Sequence, residues 1–274
     1  MNISVVTSVF VNYGLMDAID EIHKLGVEGV DIWCGRPHLY RKDYSKNILQ
    51  ELKEKLKQLN LSPVSLMPAF AHYPYSLSSP IEIVRKDSIS YMKDCIDNAA
   101  LIGAPYVLVV PKQSLYGQTR DDSRRFFMNS LSRVCNYAES RGIKLVVEVV
   151  YPKLSNHMGF IEDAINVIRQ LGSSNIGVAI DTGHLNLSGE DVGRAIEELG
   201  DLLLQVHVND NNKEQQQNAI PGEGNFDFAR FMSLLKEYNY GGFLSIELSW
   251  VYSFDPVSAL IKAIKRLRCY TETN

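Results

Sequence analysis

Four ionisable residues lie within or directly after apolar, strand-like segments, where an uncompensated charge is costly. Glu148 lies near the end of the run IKLVVEVV, Asp181 follows IGVAI, His207 lies in QVHVND, and Glu247 lies in LSIELSW. Each residue alone also has a purely structural interpretation, as a carboxylate exposed at a strand end or a core histidine bonded to a carbonyl. Three neighbouring carboxylates, however, need a cation to offset their mutual repulsion. Together with one imidazole they suit a single divalent ion, such as Mn²⁺, Mg²⁺, Co²⁺ or Zn²⁺, and we predict this metal site.

A metal site of this kind is suited to chemistry on a ketose. A metal bound to adjacent sugar oxygens acidifies the neighbouring C–H group and stabilises the enediolate that forms when a base removes the proton. Two carboxylates on opposite faces of the sugar can act as base and acid, which gives epimerisation. We predict Glu148 and Glu247 as this catalytic pair. His184, three residues after Asp181, is a candidate donor to a substrate oxygen, with a loop histidine bonded only to the backbone as the alternative.

The elements that carry these residues alternate between two kinds of segment. Eight short apolar runs predict strands at residues 2–6, 29–33, 62–67, 105–110, 143–150, 176–180, 203–208 and 242–248. Eight amphipathic segments predict helices near residues 15–25, 46–59, 81–102, 121–141, 160–171, 189–199, 226–238 and 256–268. One strand and one helix take about 34 residues of the 274, which indicates parallel strands joined by right-handed crossovers.

Eight such units predict an α/β fold, the (β/α)8 or TIM barrel, in which the carboxyl ends of all strands meet at one mouth. A doubly wound open sheet is the alternative, but it usually has five or six strands per domain, and no glycine-rich phosphate fingerprint is present here. No linker rich in Pro, Gly or Ser interrupts the series, so we expect one domain over residues 1–274. The polar segment 209–225 follows the seventh strand, where barrels place functional loops.

Composition restricts the class of partner. The chain has 28 Lys and Arg against 32 Asp and Glu, a net charge of −4, which does not favour binding to nucleic acid. Its four cysteines are widely separated without a CxxC pair, as in reduced cytosolic proteins. The chain shows no signal peptide and no apolar stretch of about 18 residues. We therefore expect a cytoplasmic protein that binds neither nucleic acid nor membranes.

The motifs around these residues resemble a known family. Glu148 and Glu247 at strand ends, DTGH from Asp181 and HVND from His207 form a pattern. This pattern resembles that of the xylose isomerase-like TIM barrel superfamily of sugar phosphate isomerases and epimerases. Four segments are similar to the fructoselysine 3-epimerase family, which interconverts fructoselysine and psicoselysine: GVDIWCGRPH (29–38), HYPY (72–75), IPGEG (220–224) and IEL…Y (246–252). The resemblance implies that Glu148, Asp181, His207 and Glu247 hold the metal, that the two glutamates exchange the proton, and that the protein is a homo-oligomer.

Six residues are candidates for binding the sugar: His184, Arg36, His38, Trp33, His72 and Glu223. Because the arginine fork suits a carboxylate or phosphate, Arg36 with His38 could receive an anionic portion of a larger substrate. The alternative for Arg36 is a salt bridge with a neighbouring loop acid. Trp33, together with Tyr75, Trp250 and Tyr252, could form an apolar wall or ordinary packing at the barrel rim.

Some positions depart from the pattern of ketohexose 3-epimerases, which usually carry a further glutamate after the fifth strand and an arginine after the metal histidine. Residues 151–157 contain no glutamate and residues 209–216 no arginine, so we expect a substituted ketose or ketoamine rather than a free ketohexose. The alternatives are a hydroxypyruvate isomerase-like or other sugar-phosphate isomerase, an inosose dehydratase, and a non-catalytic carbohydrate-binding barrel. An abasic-site endonuclease of the same superfamily is disfavoured, because the histidines it needs before its G-x-G turn are missing before Gly222.

Overall fold

Strands and helices alternate along the whole chain, as the alternation of apolar and amphipathic segments predicts. The structure, a computed structural model, describes residues 1–41, 43–70 and 74–272. Its strands are β1 (Asn2–Val6), β2 (Gly29–Trp33), β3 (Ser62–Met67), β4 (Tyr106–Val109), β5 (Lys144–Val149), β6 (Ile176–Asp181), β7 (Leu203–Val208) and β8 (Phe243–Ile246). Each strand pairs in parallel with the next, and β8 pairs with β1, which closes the barrel. The predicted TIM barrel is confirmed.

The helices surround the barrel and bury one face each. They are α1 (Leu15–Lys24), α2 (Lys46–Gln58), α3 (Glu82–Ile102), α4 (Arg120–Ser140), α5 (Ile161–Leu171), α6 (Thr182–Ser188), α7 (Val192–Leu199), α8 (Phe228–Glu237) and α9 (Pro256–Glu272). In α1 the buried positions Leu15, Ala18, Ile19 and Ile22 follow the helical period, so one apolar stripe faces the strands. The described helices include none that is both long and apolar enough to cross a membrane.

The core has two parts, on the two sides of the strands. The larger part lies between the strands and the helices. The smaller part, inside the barrel, contains Val6, Met67, Leu108, Val146 and Ala179. The inner part is therefore a packed layer that supports the mouth from below, as in other barrels of this class.

The region after β6 differs from the prediction of one helix over 189–199. The chain forms α6 immediately after β6, and α6 ends at Gly189, whose φ of +73° suits a residue without a Cβ. Asp181 begins α6 as its N-cap, because its carboxylate accepts from the backbone N–H of His184 at 2.8 Å. His184 consequently lies in the first turn of a helix and not in a loop.

The polar segment 209–225 is a folded loop anchored by one carboxylate. Asp210 is fully buried and accepts from the backbone N–H groups of Gly222 and Gly224, both at 2.9 Å, and of Phe226 at 3.2 Å. It also forms an antiparallel bridge with Ala219. These bonds satisfy several backbone donors and hold the loop beside the barrel mouth.

Candidate metal centre and sugar-binding cavity

The four predicted metal ligands meet at the mouth of the barrel. Glu148 and His207 are the penultimate residues of β5 and β7, and Asp181 ends β6. Glu247 lies one residue beyond β8, not inside the strand as predicted, and its N–H donates to Val208 O at 3.2 Å. One potential ligand atom from each residue lies within 4.8 Å of all the others. Because ligands on opposite sides of one divalent ion lie roughly 4–5 Å apart, the cluster can hold a single metal ion.

His207 lies between two of the carboxylates. Its Nδ1 is 2.9 Å from Glu148 Oε1 and 3.2 Å from Glu247 Oε2. Burial lowers the pKa of His207, but hydrogen bonds to the two glutamates outweigh burial and raise it well above its usual value. Burial likewise raises the pKa of Glu148, while the hydrogen bond and charge of His207 bring it below its usual value. The two glutamates therefore favour positive charge beside them, and a bound divalent ion would also supply positive charge.

Asp181 is oriented by two donors of the chain. Its Oδ1 accepts from the N–H of His184 at 2.8 Å and its Oδ2 from Asn209 Nδ2 at 2.6 Å. Burial, with repulsion from Glu148 and Glu247, raises the pKa of Asp181 to about 6. Such mutual repulsion among buried carboxylates is relieved by a cation, so the residues present fit a hard or borderline divalent metal ion.

A cavity of about 430 Å³ opens above the cluster, within the range of roughly 300–1,000 Å³ typical of small-molecule sites. Its ionisable lining groups are Glu148, Glu247 and His184. Much of its wall is apolar, with Trp33, Met67, Leu108, Val110, Leu154 and Trp250, and part is polar, with Ser8, Gln216, Gln217, Asn218 and Ser249. Among the described residues no lysine or arginine lines it. The cavity therefore suits a polyhydroxy compound that places no anionic group inside it.

The structure brings two of the predicted sugar-binding residues into the cavity. The ring of His184 stacks on Tyr151, with centroids 5.5 Å apart, and its Nδ1 is buried without a hydrogen-bond partner in the described part of the chain. Trp33 packs edge-to-face on Trp250 at 5.5 Å. His184 thus offers a free polar atom to a ligand, and the indole pair offers an apolar surface.

Arg36, His38 and Glu223 do not belong to the cavity lining. Arg36 forms a bidentate ion pair with Asp43, at 2.6 and 2.9 Å, so its fork is already occupied. Glu223 lies 3.4 Å from the guanidinium of Arg266. His72 lies outside the described residues.

His38 is buried behind the cavity wall. Its Nδ1 lies 3.0 Å from Thr7 Oγ1 and its Nε2 3.2 Å from Phe10 O, while Thr7 Oγ1 accepts from Trp33 N–H at 2.9 Å. A neutral ring satisfies all three contacts if Nε2–H donates to Phe10 O and Nδ1 accepts from the Thr7 hydroxyl. His38 therefore supports the backbone of Trp33.

Several lining residues were not predicted individually. Gln216, Gln217 and Asn218 reach the cavity from the 209–225 loop, and Asn209 orients Asp181 from the start of that loop. The polar run after the seventh strand signalled a functional loop. It could not signal which amides face the ligand, because neutral amides occur commonly on exposed loops.

Comparisons with known proteins agree with this architecture. The sequence profile of the xylose isomerase-like TIM barrel family matches residues 19–269. Fructoselysine 3-epimerase of Shigella flexneri is 26% identical over 251 residues, which cover 92% of this chain and 91% of that protein. D-psicose 3-epimerase of Enterocloster bolteae is 26% identical over 235 residues, 82% of this chain and 73% of that protein. The crystal structure of the IOLI protein with a bound zinc atom superposes with a TM-score of 0.84 at 20% identity, covering 99% and 98% of the two chains.

Proposed function

The chain belongs to the xylose isomerase-like TIM barrel family, and we propose that it is a metal-dependent sugar epimerase acting at C3 of a ketose or ketoamine. One observation carries the proposal: Glu148 and Glu247 both belong to the group of candidate metal ligands, and both line the cavity. A carboxylate that touches both the cation site and the ligand space can move a proton on a metal-bound sugar. The similar fructoselysine and psicose epimerases support the same reaction class.

The metal would be held by Glu148, Asp181, His207 and Glu247, and we propose Mn²⁺, Mg²⁺, Co²⁺ or Zn²⁺. When bound, the ion supplies Lewis-acid polarisation of adjacent sugar oxygens and stabilises the charge of an enediolate. The side chains of the protein supply the proton transfer and the contacts to the sugar.

Proton transfer is assigned to the two glutamates. Both have an oxygen within 3.2 Å of His207 Nδ1, and they come from β5 and from the residue after β8. One carboxylate removes the C3 proton, and the other delivers a proton to the opposite face, which inverts the configuration at that carbon. The reverse reaction exchanges their roles. His184 donates to or accepts from a sugar oxygen, and the indoles of Trp33 and Trp250 exclude water from the carbanionic carbon.

The cavity lining favours a non-phosphorylated substrate. A phosphate dianion in this cavity would lie near Glu148 and Glu247 without a lysine or arginine from the described lining, and an unpaired buried charge is costly. The amides of Gln216, Gln217 and Asn218 offer both donors and acceptors, which match sugar hydroxyls. A neutral ketose or a ketoamine is thus preferred to a ketose phosphate.

Proton exchange in D₂O tests the proposal directly. The metal-loaded protein is incubated with ketoses, ketose phosphates and fructosyl-amino acids, and deuterium incorporation is located by NMR. We expect deuterium at C3 of a non-phosphorylated ketose or ketoamine. Deuterium at C1 would instead identify an aldose–ketose isomerase, and exclusive labelling of ketose phosphates would overturn the substrate assignment.

We also propose that the protein is a homo-oligomer. Val251 and Phe254, beside the cavity mouth, expose 71% and 93% of their surface, and exposed apolar side chains at a barrel rim are commonly covered by a second subunit. Light scattering of the purified protein measures the assembly mass, and a monomer at micromolar concentration would contradict the proposal.

A further inference from the structure

A fully buried carboxylate lies inside the barrel without lining the cavity. Asp31 of β2 has no exposed surface. Its Oδ1 accepts from Ser65 Oγ and from Gln205 Nε2, both at 2.7 Å, and its Oδ2 accepts from Ser4 Oγ at 2.6 Å. A buried ionisable group with three dedicated donors is costly to build into a core. The proposed proton transfer does not use Asp31, so its presence needs another explanation.

Two buried polar atoms near Asp31 have no hydrogen-bond partner among the described residues. They are Oε1 of Gln205 and Nε2 of His207. Both residues belong to β7 and are two positions apart, so their side chains leave the strand on the same face. An acceptor and a ring nitrogen are thus left unpaired in the same interior layer.

The contacts of Gln205 determine which end of its amide faces Asp31. Its NH₂ group contacts Asp31 Oδ1 at 2.7 Å and Ser65 Oγ at 3.1 Å, whereas an amide oxygen in that position would meet the carboxylate as a second acceptor. Asp31 therefore fixes the amide, and Oε1 is directed away from it.

The contacts of His207 determine which ring nitrogen carries the proton when a metal is held. Its Nδ1 faces Glu148 and Glu247 and is the atom available to the ion. The proton of a metal-binding neutral imidazole then sits on Nε2, and such a ring almost always donates it to an acceptor outside the metal shell. Gln205 Oε1 is an unused acceptor on the same strand face.

We propose that Asp31 and Gln205 are positioning residues for His207. Asp31 holds the amide of Gln205, and one buried water bridges the two unpaired atoms by accepting from His207 Nε2–H and donating to Gln205 Oε1. This arrangement selects the ring tautomer that leaves Nδ1 for the metal. The inference rests on the metal site of the proposed function but not on the identity of the sugar.

Metal titration of Gln205→Leu tests the inference. Leucine has a similar volume but no acceptor, and loss of an outer partner of this kind lowers metal affinity about 10–100-fold. We expect that decrease for Mn²⁺ by electron paramagnetic resonance, and a changed visible absorption spectrum for Co²⁺. In the Zn²⁺-loaded wild type, ¹⁵N NMR of the histidine rings should show a protected Nε2–H for His207, which the variant should lose.

Two further variants separate positioning from general destabilisation. Asp31→Asn keeps an acceptor for Gln205 without the charge, so we expect a metal affinity between those of the wild type and Gln205→Leu. Ser4→Ala removes a donor to Asp31 but leaves the amide of Gln205 held, so it should lower stability without changing metal affinity. Wild-type affinity in Gln205→Leu, or an equal loss in Ser4→Ala, would overturn the inference alone. Failure of the wild type to bind any divalent ion would overturn the proposed function as well.

Discussion

His207 Nδ1 lies 2.9 Å from Glu148 Oε1, which connects β7 with β5 across the intervening strand β6. Asp181 ends that intervening strand, and Glu247 lies 3.2 Å from the same ring nitrogen. One imidazole thus contacts two carboxylates, while the third carboxylate comes from the strand between β5 and β7. Because these residues share partners, we expect the effects of their substitutions to be coupled and not additive.

Replacement of either glutamate by glutamine should separate the two proton transfers. In Glu148→Gln and Glu247→Gln we expect kcat to fall about 10²–10⁴-fold, the usual contribution of a general acid or base. Each variant should lose deuterium exchange chiefly from one of the two epimers, since each carboxylate serves one face of the sugar. Exchange is measured from each epimer separately in D₂O.

The metal content must be measured in the same samples, because both glutamates are also proposed ligands. Glu223→Gln provides a matched control, since Glu223 lies outside the cavity lining and pairs with Arg266. Undiminished exchange from both epimers in a variant that still holds its metal would contradict the paired-glutamate mechanism.

Replacement of His184 should weaken binding of the substrate without changing the metal content. Its Nδ1 is a buried polar atom without a partner in the described residues, and a lost hydrogen bond to a neutral ligand group costs about 0.5–1.5 kcal/mol. For His184→Phe, which keeps the ring stacking on Tyr151, we expect kcat/KM to fall about 3–10-fold at unchanged metal content. This is measured by steady-state kinetics with the compound that the D₂O experiment shows to exchange its C3 proton.

The outcome for His184 is checked by Tyr151→Phe, which keeps the stacked ring and removes only a hydroxyl. We expect wild-type kinetics from this control. A His184→Phe variant with wild-type kcat/KM would show that the histidine only packs against Tyr151.

The barrel and the metal cluster could be predicted because their signals are local. Each of the last four strands carries one ionisable group in or beside an apolar run, and parallel strands end at the same mouth. Asp31 carries the same kind of signal within GVDIW, but that segment alone does not indicate what Asp31 contacts. Its partner Gln205 is 174 residues away, and sequence spacing does not reveal that pairing.

The roles of Arg36 and His38 could not be predicted for a related reason. Both follow the second strand, so both were expected at the mouth. Their positions depend on competing partners, Asp43 for Arg36 and Thr7 with Phe10 for His38. Helix α6, by contrast, has a local signal in the sequence, because aspartate, here Asp181, is a favoured N-cap residue.

Trp250 should contribute to binding of the sugar and not to proton transfer. It lines the cavity and packs on Trp33. Removal of an indole from a half-buried wall loses about 1–2 kcal/mol of apolar contact, so for Trp250→Ala we expect KM to rise about 5–30-fold with little change in kcat. Ile261→Ala is the control, because Ile261 of α9 is 53% exposed and does not line the cavity. Equal kinetics of the two variants would remove Trp250 from the binding site.

Arg36→Ala distinguishes anion recognition from a surface ion pair. The guanidinium of Arg36 is paired with Asp43 and stacks over Tyr40 at 4.4 Å, and such exposed pairs contribute about 0–1 kcal/mol to stability. We therefore expect KM values for a neutral ketose and for a fructosyl-amino acid to remain unchanged. A KM increase confined to the fructosyl-amino acid would restore the role in anion recognition that the sequence suggested.

His38 should make stability depend on pH. Burial lowers its pKa to about 4, although its hydrogen bonds to backbone carbonyls act in the opposite direction. A histidine with a lowered pKa in the folded state stabilises the fold fully above its unfolded pKa of about 6.5. That contribution is lost as the pH falls from about 6.5 towards 4, at up to about 1.4 kcal/mol per pH unit.

The variant His38→Gln should remove this part of the pH dependence. It loses contacts to Thr7 and Phe10, so we expect it to be less stable than the wild type at pH 7 by about 1–2 kcal/mol. The difference in unfolding free energy should shrink to zero or reverse as the pH is lowered to 4.5, because the exposed His38 ring of the unfolded wild type then binds a proton, whereas glutamine does not titrate. Urea denaturation at several pH values measures the difference, with the exposed His23→Gln as the control. A difference that stays constant between pH 7 and 4.5 would show that His38 is not held neutral by the fold.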